Sequence, residues 1–178
     1  LSLISMDIAD ELVILEMGSG APGEIGYLCG IAQPEIGLIT NITESHIEYF
    51  DSVEKIVTEK SALFNSLPSD GVAFINFDDP YLSTLKPDCK QISYSFNSDA
   101  EFHGTYNISD VKKDNLTING IEIQLPFGGN VMAQNGLAAY SVTSYLGISD
   151  NIIKEAIESF KTPSGRGQVY QLNECIII

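Results

Sequence analysis

The stretch from Ile36 to Lys60 limits this chain more than any other. Ile36 to Thr40 is an apolar strand that runs into Asn41, and a polar loop with Glu44, Ser45 and His46 follows. A helix starts near Asp51, and its apolar residues Val53, Ile56, Val57, Leu63, Phe64 and Leu67 recur at helical spacing. Lys60 falls on the same stripe, seven residues after Val53 and four before Phe64. A buried lysine is costly unless something pairs with it or its proton leaves. An imidazole and an inward amine thus follow one strand end, and ligands of open α/β sheets bind beyond the carboxyl ends of strands.

The neighbouring segments repeat the pattern. Leu12 to Leu15 reads as a buried parallel strand with Glu16 at its carboxyl end. Met17 to Gly23 is a glycine-rich turn, and Glu24 opens a helix with Ile25, Leu28, Cys29 and Ile31-Ala32 inward, ended by Pro34. No GK[ST] follows that turn, so it reads as structural and not as a phosphate loop. Val72 to Asn76 is a further strand, closed by the turn Phe77-Asp-Asp-Pro80. Asp78 and Asp79 there are candidate carboxylates, although Asx-Pro turns carry such residues for local reasons. Gln91 to Ser95 is a more polar strand.

From Ala100 the period changes. Glu101 to Ile108 alternates, and Asn115 to Leu125 is a hairpin around Asn119-Gly120, a type I′ turn signal. His103 in this region reads as a strand surface residue. Pro126 to Asn130 is a loop, and Asn135 to Leu146 a helix ended by Gly147. Ser149 caps a second helix, Asp150 to Phe160, with Ile152, Ile153, Ala156, Ile157 and Phe160 inward. Pro163 to Gly167 is a loop, and Val169 to Leu172 begins another strand. The order predicts an α/β fold: a mainly parallel sheet flanked by helices, with a small antiparallel hairpin insertion.

The 178 residues suffice for one domain with a real core. The opening LSLISMDIAD has no basic start and is not a signal peptide; it reads as the continuation of an earlier element, and the apolar final run reads as a second sign of truncation. No apolar run is long enough to span a membrane. Lys and Arg total 9 against 24 Asp and Glu, a net charge of −15, which argues against nucleic acid as a partner. An anionic substrate must then be held by a few placed groups or a metal ion. The cysteines 29, 89 and 175 form no metal spacing and no disulfide framework, which suits a reducing cytoplasm.

Glu16, His46 and Lys60 are the candidate chemistry. A carboxylate and an imidazole are plausible ligands for a divalent cation. A buried lysine with a lowered pKa has a free amine that can add carbon dioxide and become an anionic carbamate; the alternative is a side chain that snorkels to water.

The words themselves carry more. ILEMGSGAPGEI (14–25), AQPEIGLITNITESHIEYF (32–50), SVEKIVTEKSALF (52–64), DGVAFINFDDP (70–80) and NGLAAYSVTSYLGIS (135–149) resemble, in order and spacing, the central domain of the Mur ligases. These are ATP-dependent amide-forming enzymes of cell-wall precursor synthesis. The GAPGEI and AQP…TNI…H blocks look most like the branch that adds D-alanyl-D-alanine to UDP-N-acetylmuramoyl-tripeptide.

The resemblance implies that residues 1–178 are one central domain, with a UDP-binding domain before it and an amine-delivering domain after it. It implies that Glu16 and His46 hold magnesium and that Lys60 is carboxylated beside it. It implies that Asn135 contacts adenine and that Arg166 reaches the nucleotide. The implied reaction phosphorylates a substrate carboxylate with ATP, and an amine then attacks the acyl phosphate. Two departures stand out. The family's GTxGKT loop is absent and would lie before Leu1, so the chain alone is expected neither to ligate nor to hydrolyse ATP. Val131-Met132 replaces the family's His-Asn ahead of the adenine asparagine. The alternatives are another Mur or folylpolyglutamate-type ligase, or a non-catalytic binding remnant.

Overall fold

The computed structural model describes residues 7, 9–43, 47–107, 114–126, 128–161, 170–172 and 175–177. The chain divides into two compact units, Leu1–Ile92 and Ser93–Ile178.

The first unit is built from α1 (Glu24–Ala32), β1 (Ile36–Ile39), α2 (Ile47–Phe50), α3 (Val53–Asn65) and β2 (Val72–Asn76). β1 and β2 pair in parallel, with Ile36 opposite Val72. All five residues of β2 are buried. That continuous apolar run is what a strand covered on both faces requires. The core gathers Ile39, Ile42, Phe50, Ile56, Phe64, Ala73, Ile75 and Leu82, with Val53, Val57, Leu63 and Leu67 packed against it. The predicted stripe of α3 is therefore the face that is buried. Each fully buried aliphatic or aromatic side chain contributes roughly 1.5–3 kcal/mol. The helix begins two residues later than Asp51, which has a positive φ of 62°. Ser52 is the N-cap, and its hydroxyl accepts from the Lys55 amide.

One strand expectation fails. Leu12 to Leu15 forms no strand, and Ile14 is 84% exposed. An apolar run becomes a parallel strand only if neighbouring strands satisfy its amides and carbonyls on both sides. Among the described residues no strand pairs with this run, and Leu12, Val13 and Ile14 are exposed.

The second unit holds β4 (Phe102–Asn107), β5 (Asn115–Ile118), β6 (Ile121–Gln124), α4 (Asn130–Tyr145) and α5 (Asp150–Glu158). β3 (Lys90–Ser95) spans the division at Ile92, and its Tyr94 lies opposite Phe102 in a parallel pairing. β4 then pairs antiparallel with β5, and β5 with β6. Asn119 and Gly120 both have positive φ, 48° and 88°, as the type I′ turn demands. The sheet order is β1-β2-β3-β4-β5-β6, a mostly parallel α/β sheet with helices against it and the antiparallel strands at one end. β7 (Tyr170–Leu172) and β8 (Cys175–Ile177) form a separate antiparallel pair.

α4 starts at Asn130, ahead of the predicted start at Asn135. α5 buries Ile153 and Ile157, whereas Ile152, Ala156 and Phe160 are exposed. Its inward face is therefore a narrow i, i+4 seam against α4 and β6. Ser149 holds the N-cap position, but its side chain makes no capping bond. No helix among the described residues is long and apolar enough to cross a membrane.

Candidate functional site

Three side chains hold three consecutive residues after β1. The Asn76 amide nitrogen Nδ2 donates to the Thr40 carbonyl at 2.8 Å. Lys60 Nζ donates to the Asn41 carbonyl at 3.0 Å. The Ile42 amide donates to Asp79 Oδ2 at 2.7 Å. Asp79 is buried, and its Oδ1 also accepts from the Tyr81 and Leu82 amides at 2.9 Å each. Its oxygens are thus committed to backbone amides, which makes Asp79 a brace for the loop after β1 and not an open ligand. Lys60 is half-buried, and loss of hydration lowers its pKa, against the opposing pull of the Asp79 carboxylate. The amine is held at the carboxyl end of β1, where the stripe of α3 predicted an inward lysine.

The residue before Lys60 was not singled out from sequence. Glu59 is only 6% exposed. Its Oε1 accepts from the Ile25 amide at 2.8 Å and from Ser19 Oγ at 2.9 Å, and its Oε2 from the Gly23 amide at 2.5 Å. Burial alone would push this carboxyl up, but donors from Ile25, Gly23, Ser19 and Glu24 outweigh it and hold the group below its ordinary value. Gly23 is the N-cap of α1 at φ 90°, where a side chain would be strained, and glycine brings no capping group of its own. Glu59 supplies that cap from a distant part of the chain, and the positive end of α1 favours its charge. Glu24 completes the turn by accepting from the Gly20 and Ala21 amides at 2.7 and 3.2 Å. Four amides of the turn and its helix are thereby committed to carboxylates, so the structural reading of the glycine-rich turn holds.

A signal for Glu59 was present. It lies three residues after Ile56 and four before Leu63, on the same stripe that drew attention to Lys60.

Between the turn and α3 lies a cavity of about 210 Å³, lined among others by Met17, Gly18, Ser19, Phe50, Glu59 and Lys60. Glu16 precedes this wall directly but is itself exposed and not part of it. His46 and Arg166 lie outside the described residues. Asn135 is exposed on α4 of the second unit, and His103 is exposed on β4, as a strand surface residue would be. Among the described residues no three His, Cys, Asp or Glu side chains group as a metal site. The donors that are described suit a hard cation only in part. Glu16 offers carboxylate oxygens, while Lys60 as a cation repels a metal and would become an oxygen donor only as a carbamate.

Comparison with known proteins agrees with this architecture. Residues 2–143 match the Mur ligase middle domain. The chain is 31% identical over 172 residues to the UDP-N-acetylmuramoyl-tripeptide--D-alanyl-D-alanine ligase of Bacillus subtilis, covering 93% of this chain and 36% of that protein. It is 29% identical to the ligase of the same name from Synechocystis, covering 99% of this chain and 38% of that protein. It thus spans little more than a third of these relatives. The MurF crystal structure from Acinetobacter baumannii superposes with a TM-score of 0.81 at 23% identity, over 89% of this chain and 36% of that one. MurF of Thermotoga maritima in complex with ADP gives 0.78 at 22% identity, over 91% of this chain and 39% of that one. The fold is shared with these structures, and the match over most of the chain places it in the Mur ligase family, as a middle domain.

Proposed function

We propose that this chain is the central domain of an ATP-dependent ligase that joins D-alanyl-D-alanine to UDP-N-acetylmuramoyl-tripeptide in cytoplasmic peptidoglycan precursor synthesis. The observation that carries the reading is Lys60: an amine with a weakened hold on its proton, fixed on the Asn41 carbonyl at the end of β1, facing a cavity beside the glycine-rich turn. The names of the relatives supply the substrates.

In this reading the free Lys60 amine attacks carbon dioxide, a C–N bond forms, and one proton leaves to solvent. The product is an anionic carbamate whose remaining N–H can still donate to Asn41. Glu16, His46 and the carbamate would then hold magnesium, which supplies charge neutralisation for the phosphates of ATP and for the tetrahedral intermediate. Asn135 and Arg166 would contact the nucleotide. Asn76 and Asp79 hold Thr40 and Ile42, on either side of the Asn41 carbonyl that Lys60 holds. The substrate carboxylate takes the γ-phosphoryl group, ADP leaves, and the incoming amine displaces phosphate from the acyl phosphate.

The test is ligation by the full-length parent with ATP, the tripeptide nucleotide and D-alanyl-D-alanine. Release of ADP and phosphate together with the pentapeptide nucleotide is the expected result, with kcat lowered by about 100-fold or more in Lys60→Ala. Preference for a different amine would move the chain to another branch of the family, and an unchanged kcat in Lys60→Ala would remove the lysine from the mechanism.

A further inference from the structure

Glu59 and Lys60 are consecutive on α3 and point about 100° apart around the helix. One helical turn therefore grips two separate segments. Lys60 holds Asn41, after β1. Glu59 holds Ser19, Gly23 and Ile25, the turn that follows Glu16. The helix forms one side of the cavity, and the hydrogen bonds that Ser19, Gly23 and Ile25 make to it converge on one carboxylate.

We infer that Glu59 is a positioning residue: its carboxylate fixes the glycine-rich turn, with Glu16 at its head, against the helical turn that carries Lys60. The chemistry it serves rests on the ligase reading above, whereas the clamp rests on side-chain geometry. A carboxylate is required because three donors converge on it. A glutamine of the same shape keeps one accepting oxygen for Ile25 and Ser19, but turns an NH₂ donor toward the Gly23 amide. An aspartate is a methylene too short to reach all three. α1 then loses its cap, and Glu16 loses its fixed distance from Lys60.

The experiment compares wild type with Glu59→Gln in two readouts. Backbone amide exchange is measured at Gly23 and Ile25, with Phe74 in β2 as the reference. Exchange at Gly23 and Ile25 is expected to rise about tenfold, the equivalent of one charge-assisted hydrogen bond, with Phe74 unchanged. In the full-length ligase kcat is expected to fall about tenfold while KM for ATP holds, because a misplaced group affects the transition state more than binding. Ser19→Ala removes one of the three bonds and serves if Glu59→Gln fails to fold; it is expected to give the same pattern at smaller amplitude. Unchanged exchange at Gly23, or an equal rise at Phe74, overturns the clamp. Loosened exchange with kcat retained overturns the positioning role. A wild-type parent that does not ligate removes the ligase reading, and exchange alone then decides the clamp.

Discussion

Two helices in this chain begin alike and are held differently. α1 and α4 both have glycine at the N-cap, Gly23 and Gly129, at positive φ and without a capping side chain of their own. Each borrows a buried carboxylate from elsewhere in the chain. Glu59 caps α1 with both oxygens engaged, by Ile25 and Ser19 on one and Gly23 on the other. Asp114 caps α4 through Oδ2 alone, which accepts from the Gly129 amide at 2.9 Å and from the Tyr106 hydroxyl. Its Oδ1 is buried and has no hydrogen-bond partner among the described residues. Burying a carboxylate is favourable only when its lone pairs are met, so the same device is complete in the first unit and half complete in the second. A borrowed cap is as strong as its least satisfied oxygen.

The largest expected effect tests this contrast directly. Glu59→Ala strands the Gly23 and Ile25 amides, while the Ser19 hydroxyl can still donate to the Ala21 carbonyl at 2.9 Å, and the first unit should lose about 3 kcal/mol. Asp114→Ala also removes a cap, but it relieves an orphaned oxygen at the same time. Its net loss should be nearer to about 1 kcal/mol. Urea titrations followed by amide resonances of each unit measure the two values. Equal losses would show that the unpartnered oxygen carries no penalty and would break the comparison.

The parts of the fold legible in sequence are those in which one segment contains its own explanation. β2 was read residue for residue, because Val72 to Asn76 is almost uniformly apolar between a glycine and an Asx-Pro turn. The hairpin was legible because Asn119-Gly120 admits few other conformations. Leu12 to Leu15 was misread because pairing partners, not composition, make a strand. At the site, Lys60 was found from its place on the stripe of α3. Glu59 was missed although it shares that stripe, because its partners lie 34 to 40 residues away and a turn of glycines advertises no need for an acid. The α4 start was read late, since Asn130 to Gln134 has little apolar periodicity and its cap comes from Asp114.

A smaller effect tests the Glu59 cap by pH. The folded-state value of Glu59 lies below its ordinary 4.5, so the unfolded chain binds the proton more readily. The stabilisation is therefore fully present above about pH 4.5 and is lost as pH falls through the lowered folded-state value. Glu59→Gln should flatten this acid loss in the first unit relative to wild type, read from unfolding midpoints between about pH 3 and 6. An acid limb as steep in the variant as in wild type would mean that the three donors do not favour the ionised form.

The smallest expected effect guards against reading short distances as strength. Lys55 Nζ and Asp51 Oδ2 stand at 2.6 Å, one helical turn apart, and this contact lowers the Asp51 pKa as the donors around Glu59 lower that of Glu59. The two side chains are 59% and 78% exposed, however, and water and salt screen what the separation suggests. Both groups are well hydrated in the unfolded chain, so folding changes little for either. Lys55→Gln should leave the urea midpoint of the first unit unchanged within error, at low and at high salt. A clear loss there would mean that exposed charge on α3 matters as much as the buried carboxylate four residues further on, and burial would no longer explain why Glu59 dominates its helix.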